Sequence, residues 1–356
     1  MSVIVPLGMA AVSAAAGLTG FASPALASSF LQVPCGTSLA TVHPAANTTV
    51  ELSKSCTYTT ALTITASTVT VTSYGLGSAP VISRNSNGAA ISLYGSHDTV
   101  KGLRLTGIAP ATWTCGGKQT PAGHVDGVDI YSGATADTVT GVTATGFYAA
   151  VYIMTGASGN SVQNSALRNN IMLDTNNSSG SAGAFGVLLW GSGNTVSGNT
   201  ISGNQACSIA YGRDGSAIEV YGGSNNTVSS NTATNDNAFT ELGNYSGNVA
   251  TGNSFTGNTV SDGTGGLGTT FLVTRGSGDS DGPVYNTTAS NNTLSLTKSG
   301  DEGAVSYSWQ QGDGTLLTLT GNYLNLGSNE VLYEDGGYVD GGGNTFIGWC
   351  NPSTDC

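Results

Sequence analysis

The chain has 356 residues, of which 8% are charged, whereas ordinary soluble domains carry roughly 25%. Its 9 Lys and Arg against 21 Asp and Glu give a net charge of −12, with no run of basic residues. This balance argues against nucleic acid and anionic membrane surfaces as partners. The recurrent Val, Ile and Leu argue against a disordered chain, despite the 53 glycines.

Residues 1–27 are predicted to be a signal peptide. Residues 3–26 are small and apolar, and Ala25-Leu26-Ala27 fits the small-x-small rule for signal peptidase, so cleavage is expected after Ala27. The usual positive charges at the start are missing, and a membrane anchor is therefore the alternative interpretation. No later segment reaches the roughly 18 apolar residues of a membrane-spanning helix. We expect a secreted, extracellular protein with no membrane partner.

The six cysteines favour disulfide bonds, because an even number in an exported chain is typical of a disulfide framework. No Cys-x-x-Cys or Cys/His spacing indicates zinc, and the three histidines are scattered, so no metal site is predicted from these residues. Several connectivities remain open. The simplest one joins Cys35 to Cys56, Cys115 to Cys207, and Cys350 to Cys356.

A short repeat of the form apolar-x-x-Asn-x-apolar runs through the chain, and its closest copies start 22 residues apart, at Val228 and Ala250. A unit of that size, built from short alternating strands and Gly/Asn/Ser turns, cannot bury a core alone but can do so when it is stacked. A helical period is nearly absent, which argues against a βαβ sheet. The sequence predicts an all-β, single-domain, right-handed parallel β-helix with three short strands per coil. The repeats start at Val196, Val228, Ala250, Ala289 and Leu319, and weaker copies that lack the Asn start at Val100, Val139 and Val162.

The Asn of this repeat has a structural interpretation. At a fixed turn of each coil, Asn tolerates left-handed backbone geometry, and its amide can hydrogen-bond the equivalent residue one coil away. Metal binding by the same column is the alternative. The residues concerned are Asn199, Asn231, Asn253, Asn292 and Asn322.

The pattern, clearest in "GNTVSGNTISGN" at 193–204, resembles the right-handed β-helix proteins of the pectate-lyase-like superfamily. The resemblance covers roughly residues 45–348. It implies an N-terminal cap at 28–60, a β-helix at 61–348 and a disulfide-closed tail at 349–356. It also implies one of three functions, because the superfamily includes glycoside hydrolases, polysaccharide lyases and non-catalytic surface proteins.

A second alternating strand precedes each repeat by about ten residues, as in Ile218-Glu219-Val220-Tyr221. Because strand side chains alternate between faces, stacking these strands predicts two outward columns. An aromatic column on an outer face suits the apolar faces of sugar rings, and stiffening of the sheet is the alternative. One column reads Ser92, Asp129, Tyr152, Leu188, Glu219, Glu241 and Leu272, and the other reads Tyr94, Tyr131, Met154, Trp190, Tyr221, Gly243 and Thr274.

Glu219 and Glu241 are the predicted catalytic acids, one coil apart in the register that Val228 and Ala250 suggest. Asp214 and Asp236 share the same offset in the preceding turn and complete the predicted group. Strands about 4.8 Å apart bring such carboxyls near the ~5–5.5 Å of a retaining glycosidase, and a diagonal pair near the ~6.5–9.5 Å of an inverting one. Neighbouring carboxylates also split their pKa values, so that one can act as the acid. Bound Ca²⁺ and a solvated acidic face are the alternatives.

The sequence therefore predicts an enzyme that cleaves a polysaccharide in a groove, most simply a hydrolase with no required cofactor. A lyase acting on a uronate polymer is the first alternative, with Arg213 or Lys118 as the base; a non-catalytic glycan-binding module is the second. Asp129, flanked by His124 and Asp126, is expected to bind substrate rather than to react. The other predicted substrate contacts are Tyr94, Tyr131, Tyr152, Trp190, Tyr221, Lys118, His124 and Arg275.

Overall fold

The structure is a computed structural model, and strands account for nearly all of its regular structure. A 3-10 turn at Leu39–Thr41 is the one helical element in the described part, and no helix there is long and apolar enough to cross a membrane. The residues described are 28–108, 124–171, 184–204, 206–208, 212–243, 250–261, 269–273, 284–297, 305–307, 317–330, 332–333 and 339–349.

Three long sheets run the length of the molecule, and the chain visits them in a fixed order. The first, sheet 1, has 12 described strands. They are Ser29–Val33, Thr48–Ser53, Thr70–Tyr74, Thr99–Lys101, Thr138–Thr140, Ser161–Gln163, Thr195–Ser197, Thr227–Ser229, Ser254–Thr256, Thr287–Ser290, Leu317–Thr320 and Val339–Asp340.

Sheet 2 carries the predicted site and has 10 described strands, and sheet 3 has 11. The strands of sheet 2 are Leu62–Ile64, Gly88–Leu93, Val125–Ile130, Ala149–Ile153, Phe185–Leu189, Ser216–Tyr221, Ala238–Gly243, Thr269–Val273, Val305–Tyr307 and Leu332–Tyr333. Those of sheet 3 are Thr57–Tyr58, Val81–Ser83, Arg104–Thr106, Thr143–Thr145, Ala166–Arg168, Thr200–Ser202, Thr232–Thr234, Thr259–Ser261, Thr293–Ser295, Tyr323–Glu330 and Thr345–Trp349.

Every strand of these three sheets pairs in parallel with the corresponding strand of the next coil. The chain passes from sheet 2 to sheet 1, then to sheet 3, and back to sheet 2 one coil further on. This topology is the parallel β-helix that the sequence predicts. Two short pairings lie outside it: an antiparallel hairpin of Ala206–Ser208 with Gly212–Asp214, and a parallel pair of Ala250–Thr251 with Val284–Tyr285.

The core fills the space between the three sheets and consists of stacked columns of apolar side chains. In the three-residue strands of sheet 1 the central residue points inward and its neighbours do not, as the alternation of strand side chains requires. Val139, Val162, Val196 and Val228 stack in register in this way, and all four are buried. Each coil therefore buries its apolar residues only against its neighbours, as expected for a stacked repeat.

The turns from sheet 1 to sheet 3 explain the Gly-Asn pairs of the repeat. Eight consecutive turns contain two residues each; the first has a positive φ, for example 65° at Gly198, and the second points inward. Positive φ is easily adopted by Gly and tolerated by Asn, which is why these residues recur there. The eight turns are 102–103, 141–142, 164–165, 198–199, 230–231, 257–258, 291–292 and 321–322.

The inward Asn side chains form the predicted hydrogen-bonded columns, of which there are three among the described residues. In each, a backbone N–H donates to the Oδ1 of the residue one coil on, and the Asn Nδ2 donates to the same oxygen, as between Asn199 and Asn231. The first ladder contains Asp98, Asp137, Asn160, Asn194, Asn226 and Asn253; the second, Ser165, Asn199, Asn231, Asn258, Asn292, Asn322 and Asn344; the third, Asn170, Asn204 and Asp236.

The predicted register at Ala250 is wrong. Val228 pairs with Phe255, 27 residues on, and Asn253 belongs to the first ladder beside Asn226 instead of to the second. The connection from sheet 2 to sheet 1 is five residues longer in this coil, at 244–253, than in the coil before, at 222–226. The extra residues shift sheet 1 by five positions and leave sheet 2 unshifted.

The N-terminal strands are held by one disulfide and one buried hydroxyl. Cys35 and Cys56 are bonded, as predicted, whereas Cys115, Cys350, Cys356 and the side chain of Cys207 lie outside what the structure describes. The Tyr58 hydroxyl donates to the carbonyl of Val33 at 2.7 Å and accepts from the N–H of Ser53 at 3.0 Å. The strand Ser29–Val33 pairs with Thr48–Ser53, so the predicted cap at 28–60 already carries strands of sheets 1 and 3.

We expect Tyr58→Phe to lower the free energy of unfolding by about 1–2 kcal/mol, because two buried backbone groups lose their partner. Denaturant unfolding followed by circular dichroism would measure this change. Tyr74→Phe, at a less buried tyrosine of sheet 1, is the control and should have little effect. Equal effects of the two substitutions would contradict the assignment.

The connections that border sheet 2 vary in length, whereas the eight turns from sheet 1 to sheet 3 do not. From sheet 3 to sheet 2 the connection has three residues at 146–148 and 18 at 107–124. From sheet 2 to sheet 1 it has five at 94–98 and 13 at 274–286. In a stacked repeat, insertions on one side often border the binding face. The lengths of these connections thus indicate the outer face of sheet 2 as the candidate binding face.

Candidate functional site

The first predicted outward column on sheet 2 is present from Ser92 to Glu241, and Leu272 continues its pairing register. Its members pair one after another across seven adjacent strands, from Ser92 through Asp129 and Tyr152 to Glu219 and beyond. The two neighbours of Asp129, Val128 and Ile130, belong to the core, so Asp129 itself lies on the outer face. The full column reads Ser92, Asp129, Tyr152, Leu188, Glu219, Glu241 and Leu272.

A further outward column lies three positions earlier in each strand, and strict alternation does not predict it. One residue in each strand, such as Gly127 or Ala217, is left out of the pairing register, so positions three apart share a face. Ser216 demonstrates this, because its hydroxyl donates to Glu219 Oε2 at 3.3 Å. The column contains Ala89, Asp126, Ala149, Phe185, Ser216 and Ala238.

The outer face is less exposed in its middle than the sequence predicts. Leu188 and Phe185 are both buried and pack with Ala149 in a cluster that is separate from the core, with Tyr152 and Trp190 against it. Leu188 is therefore outward but not solvent-facing. This apolar cluster lies between the strand of Asp129 and the strand of Glu219.

The aromatic column is present and its rings contact each other. Tyr94 and Tyr131 stack with ring centroids 4.0 Å apart, and Tyr94 remains 47% exposed. Trp190 lies 5.3 Å from Tyr152 and 6.0 Å from Tyr221, again between ring centroids. These predicted contact residues form one partly exposed aromatic surface along sheet 2. Thr274, at the end of the predicted column, lies outside the described residues.

Glu219 and Glu241 are directly opposite each other on adjacent strands, and both are partly exposed. Adjacent strands lie about 4.8 Å apart, so the two side chains start from about that separation. The pair borders the aromatic surface, because Tyr221 ends the strand of Glu219 and contacts Trp190, which directly follows the neighbouring strand Phe185–Leu189. The prediction that they are neighbours is confirmed, although the register argument used for it fails at Ala250.

Asp236 does not lie on the outer face. Its Oδ1 accepts from the backbone N–H of Asn204 at 2.8 Å and from Asn204 Nδ2 at 2.7 Å, so it occupies a place in the third ladder. Burial of this carboxyl raises its pKa to about 7. Asn204, and not Asp214, is the counterpart of Asp236 one coil earlier. The offset of 22 residues between Asp214 and Asp236 does not mark equivalent positions, because residues 205–215 lengthen the connection from sheet 3 to sheet 2 in the earlier coil. Asp236 is therefore a structural group, which corrects its predicted place in the catalytic group.

Arg213 and Asp214 lie on the hairpin strand Gly212–Asp214, opposite Cys207 and Ala206 respectively. The hairpin directly precedes the strand of Glu219, but the directions of these two side chains lie outside what the structure describes. Lys118 and Arg275 are likewise outside it. The roles predicted for these four residues stay predictions.

Asp126 and Asp129 form a second acidic pair on sheet 2. Both are buried, at 4% and 3% exposure, and Asp126 Oδ1 accepts from the N–H of Ala149 at 3.1 Å. Burial raises the pKa of both carboxyls, and the charge of Asp126 raises that of Asp129 further. Within the described residues, no group of three or more His, Cys, Asp or Glu side chains could hold a metal ion.

His124 lies at the start of the same strand and stacks on Tyr148, with ring centroids 4.2 Å apart. Burial lowers the pKa of His124 from its ordinary value. Tyr148 in turn contacts Phe185 edge to face at 5.2 Å. Sequence reasoning missed Ser216, Tyr148 and Phe185, because period-two alternation assigns the residues preceding each quartet no place on the outer face.

Comparison with solved structures finds parallel β-helix proteins. The chain is similar to the tailspike protein of E. coli bacteriophage HK620 in complex with a pentasaccharide: 10% identity, 92% of this chain, 59% of that chain, TM-score 0.60. It is also similar to a variant of that tailspike in complex with a hexasaccharide, with 11% identity over 92% of this chain and 57% of that chain and a TM-score of 0.57. An alginate lyase from Paenibacillus sp. str. FPU-7 matches over 90% of this chain and 99% of that one, with 16% identity and a TM-score of 0.48.

These comparisons show the fold alone. At such low identity no activity transfers, and the chain spans less than two thirds of the tailspike chains. No protein-family model matches the sequence, and no curated protein is similar to it. A β-helix architecture is thus established independently of any particular chemistry, and the function has to be argued from the face of sheet 2.

Proposed function

We propose that this protein is a secreted carbohydrate-active enzyme that cleaves glycosidic bonds of a polysaccharide on the outer face of sheet 2, by hydrolysis. The observation that carries the proposal is the pair Glu219 and Glu241, directly opposite on adjacent strands and both accessible in part. Two carboxyl groups at such a separation fit a retaining mechanism, in which one acts as nucleophile and the other as acid and then base.

The surroundings of this pair support a sugar as the ligand. Tyr94, Tyr131, Trp190 and Tyr221 give a partly exposed aromatic surface along the same sheet, and aromatic rings stack well on the apolar faces of sugars. The long connections that border sheet 2 favour a groove there instead of a flat sheet. The similar tailspike chains were solved with bound pentasaccharide and hexasaccharide, which agrees with this substrate class.

The carboxylate pair favours hydrolysis over elimination. A lyase needs a base and a group that neutralises the uronate carboxylate, and the described face of sheet 2 presents carboxylates and neutral rings. The chemistry at Glu219 and Glu241 needs no cofactor. The disulfide Cys35–Cys56 supports export, because such bonds persist in oxidising compartments.

A panel of neutral and uronate polysaccharides tests the function with two readouts on the same samples. New reducing ends without ultraviolet absorbance of an unsaturated uronate would establish hydrolysis. Reducing ends together with that absorbance would establish elimination and overturn the hydrolase. Binding without either product would leave a glycan-binding module.

Tyr94→Ala should raise KM for a long substrate about tenfold with little change in kcat, because an exposed ring that only stacks on the sugar contributes to binding and not to the reaction. Tyr323→Ala is the matched control, since Tyr323 is similarly exposed but lies on sheet 3. Steady-state kinetics on the substrate found in the panel would measure both. A KM that rises equally in the two variants would argue against the aromatic surface.

A further inference from the structure

The strand Val125–Ile130 holds two buried carboxylates that the proposed reaction does not use. Asp126 and Asp129 lie three positions apart on the outer face of sheet 2, close enough for their charges to interact. Glu219 is three strands away from Asp129, about 14 Å at the usual strand spacing. The two acidic pairs are therefore separate sites on one face.

One carboxylate oxygen of Asp129 has no hydrogen-bond partner among the described residues. The Tyr131 hydroxyl is within hydrogen-bonding reach of this carboxyl, but Oδ1 is buried and has no hydrogen-bond partner within the described residues. A buried acceptor without a partner costs about 1–3 kcal/mol, and such groups call for an explanation such as a ligand. The side chain is 97% buried and points away from the core, towards the ligand side of the sheet.

No described cation compensates the charge of this pair. Neither Asp126 nor Asp129 forms an ion pair with a described Lys or Arg, and Arg84 donates instead to the backbone carbonyls of Asn87 and Gly88. Two buried carboxylates without a cation cannot both be ionised near neutral pH, as in other carboxyl dyads. The other titratable groups on the elements around them are His124, Tyr94, Tyr131, Tyr148 and Tyr152.

We propose that Asp126 and Asp129 share one proton and form a second sugar subsite, which binds the hydroxyl groups of a neutral sugar residue and rejects a uronate. The proposal rests on the proposed function and adds the substrate class at this position. The protonated carboxyl donates a hydrogen bond and the ionised one accepts another, which matches two adjacent sugar hydroxyls. The stacked rings of Tyr94 and Tyr131 supply an apolar platform beside them.

The remaining negative charge explains the selectivity. A uronate carboxylate at this subsite would face an ionised partner with no cation in between, and like charges brought together out of water repel strongly. A neutral sugar meets no such penalty. The structure therefore favours a neutral or only sparsely charged polysaccharide.

Calorimetric binding of neutral oligosaccharides (cello-, xylo- and manno-oligosaccharides) and of acidic ones (oligogalacturonate and oligoalginate) tests the subsite. We expect the wild-type protein to bind a neutral oligosaccharide at least tenfold more tightly than any acidic one. Asp129→Leu should lose tenfold or more of that affinity. The double variant Asp126→Asn with Asp129→Asn should cut the preference for neutral sugars at least tenfold, because it removes the charge of the pair, whereas Asp129→Asn alone leaves one carboxylate in place. Asp340→Asn, an exposed aspartate on sheet 1, should change neither value.

The shared proton has a test that needs no sugar. Thermal unfolding of Asp129→Asn and of the wild type should differ more at pH 8 than at pH 5, because the wild type has two buried carboxyls with raised pKa values that lose stabilisation as pH rises, and the variant has one. Equal pH dependence of the two would overturn the shared proton, and tight binding of uronates by the wild type would overturn the selectivity. If no oligosaccharide binds but this pH difference appears, the proposed function fails while the proton-sharing pair stands.

Discussion

Glu219→Gln and Glu241→Gln are each expected to reduce kcat about 10²- to 10⁴-fold, the range that one general acid or base contributes. Glutamine keeps the shape of the side chain but can neither attack as a nucleophile nor exchange a proton. Both residues are partly exposed on the outer face, so the substitutions should leave the fold intact. Initial rates of reducing-end release on the substrate from the panel would measure the loss.

Glu51→Gln is the matched control, because Glu51 is a partly buried glutamate on sheet 1 that pairs with Gln32 and Thr72. Its rate should stay within twofold of the wild type, on the order of what a surface substitution away from a site produces. Circular dichroism and the unfolding midpoint would establish that all three variants fold. Near-normal rates in both sheet 2 variants would remove Glu219 and Glu241 from the reaction.

The second large effect is expected in the ladders, where Asp98→Asn, Asp137→Asn and Asp236→Asn should stabilise the protein above neutral pH. Each carboxyl stands where other coils have an amide, and in each the Oδ2 is buried with no hydrogen-bond partner in the described part. In the other coils an Asn Nδ2 at that place donates to the next Oδ1, as Asn160 does to Asn194 at 3.1 Å. An aspartate can reproduce this bond only when it is protonated.

The pH dependence follows from the direction of the pKa shifts. Burial raises the pKa of Asp98 from 3.8 to about 6, and burial together with the charge of Asp98 raises that of Asp137 to about 7. For a raised pKa, the stabilisation is complete below the unfolded-state value and is lost as pH rises through the folded-state value. Wild-type stability should thus fall between about pH 4 and pH 7 relative to the Asn variants.

We expect each Asn variant to gain about 1–3 kcal/mol in the free energy of unfolding at pH 8 and almost nothing at pH 4. Asp98 and Asp137 are in contact, so their double variant should gain less than the sum. The reverse change, Asn160→Asp, should create a new loss of stability with rising pH. Denaturant unfolding across pH 4–8 would measure all of these, and a gain that is equal at both ends would contradict the protonated ladder.

The fold could be predicted from the sequence because two local signals repeat. Positive φ at one corner favours Gly or Asn, and an inward amide must find a partner one coil away; together these account for the Gly-Asn pairs at 198–199, 257–258 and 321–322. Period-two alternation then orients residues such as Glu219 outward. The turn conformation and the alternation depend on residues that are close in the chain, so a single sequence reveals them.

The details that could not be predicted depend on contacts that are distant in the chain or on irregular geometry. Asp236 carries the same side chain whether it lines a groove or completes a ladder, and only its contact with Asn204 decides between the two. Asp126 shares a face with Asp129 because Gly127 is left out of the pairing, which alternation cannot reveal. A longer connection at 244–253 displaced the register that equal spacing had suggested.

The constant two-residue corner has a consequence for engineering. Because eight consecutive corners between sheets 1 and 3 have the same length, a whole winding could be duplicated or deleted without disturbing the alignment of those that remain. A winding inserted between the strands of Tyr152 and Leu188 would move Asp129 further from Glu219 by one strand spacing, about 4.8 Å. The preferred chain length of the bound oligosaccharide would then grow in discrete steps, with the number of windings as the variable.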